Sequence, residues 1–114
     1  MNRDSTYGKR FQLYHDGFIE AQAFNQRETF EAAILFSKTE GIVPAPEAAH
    51  AIRGAIVEAL KAKESGESKT ILFCLSGHGH FDMGAYDQYL AGNLVDVPCD
   101  EEEIQRNIAK LPQI

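Results

Sequence analysis

The sequence contains little that suits an oxidising compartment or a membrane. Its two cysteines, Cys74 and Cys99, are too few for a disulfide framework in 114 residues and are typical of reduced cytosolic thiols. No apolar run is long enough to span a bilayer, and no apolar stretch follows Met1 as in a secretory signal. We therefore expect a cytoplasmic protein that does not enter a membrane.

Positive charge is also scarce. Eleven lysines and arginines stand against 17 acidic residues, which gives a formal net charge of −6. An acidic chain is repelled by phosphate backbones and anionic lipids, so nucleic acid and membrane surfaces are disfavoured as partners. The length fits one domain or part of one, and no internal repeat is visible.

The most apolar stretch covers residues 70–75 and predicts a strand buried on both faces of a parallel sheet, with Cys74 as a small core residue. It ends in Ser76 and a polar turn, where Gly77 and Gly79 permit a close approach of the backbone. In open α/β sheets, ligands bind beyond the carboxyl ends of the strands. The turn is therefore the first candidate for a binding site.

Signals for other elements precede this strand. Residues 1–16 have no clear period and are expected to form an irregular N-terminal arm, whereas residues 18–24 alternate in part and predict a short strand. Asn25, with Glu28 three residues later, has the spacing of a capping box and predicts the start of a helix. Gly41 is suited to end that helix.

A second helix is predicted to begin at Pro46 and to end at Gly66. The order strand, helix, helix, strand predicts an α/β fold, a partial three-layer unit with parallel strands, in residues 17–92. A further short helix after residue 82, and a linker and last helix within residues 93–114, complete the chain. Two strands make a poor sheet alone, so the chain either forms oligomers or is a piece of a larger α/β domain.

Two segments resemble a known family. Residues 40–52, Glu-Gly-Ile-Val-Pro-Ala-Pro-Glu-Ala-Ala-His-Ala-Ile, resemble the E-G-I-x-P-A-x-E-x-x-H-A segment of tryptophan synthase β-subunits. Residues 75–82, Leu-Ser-Gly-His-Gly-His-Phe-Asp, resemble their L-S-G-x-G-x-x-D turn in the form found in the long-form β-like branch. The resemblance covers most of the chain and predicts the C-terminal portion of a fold-type II enzyme.

The resemblance implies an enzyme that uses pyridoxal 5′-phosphate (PLP) to join L-serine and indole by β-elimination and β-replacement. It implies that Ser76 hydrogen-bonds the pyridine nitrogen, that Glu40 lies beside the cofactor, and that Gly77 and Gly79 line the ring edge. The family's H-K-x-N segment, which carries the Schiff-base lysine, and its G-G-G-S-N-type phosphate loop do not occur in this sequence. This chain alone is therefore expected to bind no PLP and to lack the parent's lyase activity.

Two alternatives come from other classes of protein. His78, His80 and Asp82 would share one face of a strand, as metal ligands must. However, the intervening glycines favour a turn, and the family motif accounts for these residues without a metal, so no metal is expected. The other alternative is a non-catalytic α/β module that forms a homo-oligomer through its exposed sheet edges or through the small-residue face of its second helix.

Overall fold

The computed structural model describes residues 6–97 and 100–110, so the predictions made for Cys99 and for residues 1–5 and 111–114 lie outside the described residues. The described part is helical, and one isolated antiparallel bridge joins Pro44 to His78. Within this part, none of the helices combines the length and the hydropathy needed to span a bilayer. The helices are α1 (Thr6–His15), α2 (Gln26–Glu40), α3 (Pro46–Ser65), α4 (Met83–Leu90) and α5 (Glu101–Ile108).

The N-terminal segment forms α1 where the sequence predicted an irregular arm. The helix ends because Gly17 adopts a left-handed φ of 75°, a conformation that glycine tolerates. The amides of Gly17 and Phe18 then donate to the carbonyls of Tyr14 and Leu13, at 3.1 and 2.9 Å. The prediction for the arm was therefore wrong across α1.

The helices α2 and α3 begin and end where the sequence predicted. The backbone N–H of Asn25 donates to Glu28 Oε1 at 2.8 Å, as in a capping box. Gly41 and Gly66 end the two helices with φ values of 71° and 72°, and Pro46 is the first residue of α3. These signals act over three or four residues, so the sequence alone is sufficient to place them.

Small side chains let α2 and α3 pack closely. The buried residues of these two helices are mostly alanines: Ala32, Ala33, Ala48, Ala49 and Ala62, with Phe30, Ile52 and Thr29. The helix α4 joins this core through aromatic contacts with Phe30. The Tyr86 ring meets the Phe30 ring edge-on at 5.1 Å between centroids, and the Tyr89 ring stacks on it at 5.6 Å.

The C-terminal helices lie within the ranges that the sequence predicted. Asp100 caps α5 because its Oδ1 accepts the backbone N–H of Glu102 at 3.0 Å. The predicted linker before it lies against the start of α2, where Asp96 Oδ1 accepts the backbone N–H of Arg27 at 3.0 Å. A carboxylate at this position is favoured by the positive end of the helix dipole. The division of the chain at residue 93 stays a prediction.

The two predicted strands are not helical, but they do not pair. Residues 18–24 and 70–75 belong to no ladder, and the backbone of residues 70–75 makes no hydrogen bond with another described residue. A central strand needs neighbours on both edges, which the described part of the chain does not supply. The parallel α/β sheet therefore stays a prediction.

Burial along residues 70–75 alternates as in an extended chain. The inner side is half-buried, and the Phe73 ring meets that of Phe36 edge-on at 5.8 Å. On the outer side, Leu72 is 94% exposed and Cys74 is exposed. The predicted burial of both faces, and of Cys74 in the core, was wrong for this chain, because no residue that the structure describes covers the outer side.

The chain exposes far more surface than a closed globule would. A globular protein of this mass exposes about 6,200 Å². The accessible surface here is 9,340 Å² for 12.7 kDa and includes large apolar side chains such as Leu72, Phe81 and Phe18. Large exposed apolar side chains of this kind are typical of a surface that a further part of the protein or another chain covers.

Candidate functional site

The two segments that carry the family resemblance meet in the fold. The backbone N–H of Ala45 donates to the carbonyl of Gly77 at 2.9 Å, and that of Gly79 donates to the carbonyl of Val43 at 2.8 Å. These bonds flank the bridge between Pro44 and His78. The helix α3 thus brings two segments that are about thirty residues apart into register.

Gly77 and Gly79 are glycines because the other segment lies against them. A Cβ on Gly79 would stand 2.5 Å from the Pro44 carbonyl oxygen and 2.9 Å from Val43 Cγ1. A Cβ on Gly77 would stand 3.1 Å from Ala45 Cβ. The Pro44 backbone therefore excludes a Cβ at Gly79, whereas at Gly77 a Cβ would require only a small shift of the Ala45 methyl group. The place of both glycines at the edge of a cofactor ring stays a prediction.

Tyr86 of α4 holds this junction from a third direction. It is 3% exposed, and its hydroxyl donates to the Pro44 carbonyl oxygen at 2.6 Å. Sequence reasoning did not place Tyr86 at the candidate site. The signal that could have found it is general: a buried tyrosine hydroxyl requires a hydrogen-bond partner, and α4 follows the glycine turn directly.

The junction should weaken in alkaline solution. Burial, followed by the negative charge of Asp82, raises the pKa of Tyr86 above its ordinary value of 10.0. Because the pKa of Tyr86 is higher in the folded state than in the unfolded state, the neutral hydroxyl contributes its full share of stability below about pH 10. That contribution is lost as the pH rises through the pKa of the folded state. The stability difference between wild type and Tyr86→Phe should therefore shrink above about pH 10 in urea titrations, whereas a difference that does not depend on pH would contradict this.

Ser76 and Glu40 occupy separate parts of the surface around the junction. Ser76 is exposed two residues before the bridge, and Glu40 is exposed as the last residue of α2. Glu40 lines an apolar groove of about 380 Å³, to which Ser76 does not contribute. The groove is lined mainly by α2, α3 and the extended segment, through Leu35, Phe36, Thr39, Ile52, Ala55, Ile56, Ala59, Ile71 and Phe73. Backbone hydrogen bonds thus join the two motif segments. The exposed side chains of Ser76 and Glu40 remain accessible to a group that this part of the chain does not supply.

The histidines of the turn lie close together without a set of metal ligands. The rings of His78 and His80 are 4.9 Å apart between centroids, and the backbone N–H of His80 approaches His78 Nδ1 at 3.3 Å. Asp82 directly precedes α4, and its amide donates to the carbonyl of Gly79 at 2.9 Å. Across residues 6–97 and 100–110, no three histidine, cysteine or acidic side chains gather around one point.

Comparison with curated proteins identifies the relatives of these segments, although no protein-family model matches the chain. Tryptophan synthase beta chain 2 of Aquifex aeolicus is 65% identical over 85 residues, which is 75% of this chain and 20% of the relative. The protein of the same name from Methanosarcina acetivorans is 61% identical over 84 residues, or 74% and 19%. Tryptophan synthase beta chain of Thermococcus gammatolerans is 54% identical over 88 residues, or 77% and 20%.

Identities this high over three quarters of the chain make it homologous to part of a biosynthetic enzyme. The chain is homologous to tryptophan synthase β chains and matches a C-terminal portion of such an enzyme. It spans about a fifth of the length of the curated relatives that it matches.

Proposed function

We propose that this chain supplies the pyridine-nitrogen side of a PLP site in a tryptophan synthase β-like lyase that acts in the cytoplasm on L-serine and indole. The observation that carries the proposal is the junction of the two motif segments. Two backbone hydrogen bonds, from Ala45 to Gly77 and from Gly79 to Val43, fix Ser76 beside the segment that follows Glu40. Residues in the other four-fifths of such an enzyme would deliver the lysine and the phosphate loop.

The exposed Ser76 fits the pyridine side of the cofactor. Its hydroxyl lies at the outer end of the apolar segment, and its Oγ–H can donate to a neutral ring nitrogen. A hydroxyl does not stabilise a protonated ring nitrogen as a carboxylate would, which tunes the chemistry of the ring. Bound PLP supplies the electron sink for elimination and replacement at the β carbon of serine. Glu40 places a carboxylate near the cofactor, while Gly77 and Gly79 keep the turn close to the Pro44 segment.

A chimera tests the role of Ser76. The matched segment of the Aquifex aeolicus relative is replaced by the corresponding residues of this chain, and Ser76→Ala is introduced. Because the ring nitrogen loses its donor, we expect a shifted absorbance spectrum of bound PLP and a turnover lower by about tenfold or more. Spectrophotometry and a tryptophan formation assay measure these effects.

Ser68→Ala provides the control for that chimera, because Ser68 is an exposed serine in the same non-helical stretch before the apolar segment. It should leave both the spectrum and the turnover unchanged. If Ser76→Ala behaves like Ser68→Ala, the proposed contact between Ser76 and the cofactor is wrong.

A further inference from the structure

Tyr86 lies outside both motif segments, yet it contacts the point where they meet. Its hydroxyl donates to the Pro44 carbonyl oxygen at 2.6 Å, and its ring edge would be 3.0 Å from a Cβ on Gly79. We propose that Tyr86 is a positioning residue, which fixes the Ser76 turn relative to the segment that follows Glu40. This inference rests on the function proposed above, because it concerns the same site.

Few groups hold the junction together. Val43 and Ala45 each make one backbone hydrogen bond to the turn, but Pro44 between them has no N–H to contribute. The carbonyl of Pro44 is buried, and the Tyr86 hydroxyl is its donor. A buried carbonyl without a donor carries a large penalty, so loss of this hydroxyl should release the segment locally.

Packing of the Tyr86 ring is a separate role that must be distinguished from positioning. The ring contacts Phe30 of α2, and Tyr86→Phe preserves this contact while it removes the hydroxyl. Tyr89→Phe is a matched control on the same helix, because the Tyr89 ring also packs on Phe30. Its hydroxyl makes no hydrogen bond with any residue that the structure describes.

Amide hydrogen exchange of the whole chain, followed by NMR, provides the first test. In Tyr86→Phe we expect the amides of Ala45 and Gly79 to exchange about tenfold faster, with those within α2 unchanged. In Tyr89→Phe, the same two amides should stay within about twofold of wild type. Unchanged exchange in Tyr86→Phe would overturn the proposal, and so would an equal acceleration at all amides, because that would indicate a purely structural role.

The second test places Tyr86→Phe in the chimera described above and records the absorbance spectrum of bound PLP. A shifted spectrum supports positioning, whereas local exchange with an unchanged spectrum overturns it. Ser76→Ala in the same chimera reports on the proposed function itself. If only Tyr86→Phe shifts the spectrum, the Ser76 hydroxyl is not the contact, but the turn that Tyr86 positions still lies at the cofactor. If only Ser76→Ala shifts the spectrum, the proposed function holds and the positioning role of Tyr86 fails. If neither variant shifts the spectrum, both proposals fail.

Discussion

Gly79→Ala is expected to open the junction and to lower the free energy of unfolding by about 3 kcal/mol. The new methyl group would stand 2.5 Å from the Pro44 carbonyl oxygen, 2.9 Å from Val43 Cγ1 and 3.0 Å from Tyr86 Cε2. The carbonyl cannot retreat without loss of its hydrogen bond to the Tyr86 hydroxyl. The turn must move instead, and the amide of Gly79 then loses its bond to the Val43 carbonyl.

Gly84→Ala is the matched control for this prediction. Gly84 lies in α4, and a Cβ there would meet no atom within 4 Å. Alanine in a helix costs less conformational entropy than glycine, so stability should be unchanged or higher by up to about 0.5 kcal/mol. Urea denaturation followed by circular dichroism measures both variants. A Gly79→Ala protein as stable as Gly84→Ala would show that the two segments are not packed as described.

The ends of the helices could be predicted because their signals are local. The capping pair Asn25 and Glu28, and the C-terminal glycines Gly41 and Gly66, act within one turn of the backbone that they satisfy. Gly17 carries the same signal and was missed, because the preceding residues show no regular period. A glycine that follows ten residues without proline is compatible with the end of a helix as well as with the start of a strand.

The junction and the strands depend on contacts that local patterns do not contain. Tyr86 and Pro44 are 42 residues apart, and only the paired family motifs indicated that their surroundings belong together. The apolar pattern of residues 70–75 predicted burial on both faces, whereas the structure half-buries only Ile71 and Phe73. Burial of a strand, however, requires neighbouring strands, and those do not lie among the described residues.

This uncovered segment predicts how the chain behaves at high concentration. Residues 70–75 carry no charge and no proline, and their backbone groups are unpaired within the described part. Such a segment is a template for pairing with a copy of itself. We therefore expect the chain to form a homo-oligomer, as in the non-catalytic alternative, unless a larger polypeptide covers this surface.

Leu72→Lys should suppress that association, because Leu72 is 94% exposed on the outer side of the segment. Burial of a leucine between two copies contributes about 2 kcal/mol, and a lysine adds like-charge repulsion, so the association midpoint should rise by at least about tenfold. Leu90→Lys is the control, since Leu90 is 68% exposed and belongs to α4 rather than to the segment. Sedimentation velocity in reducing buffer, which excludes a disulfide through Cys74, measures the midpoint. A wild-type chain that is monomeric at every concentration would refute self-pairing. If Leu72→Lys and Leu90→Lys change the association midpoint equally, the contact between copies does not lie at residues 70–75.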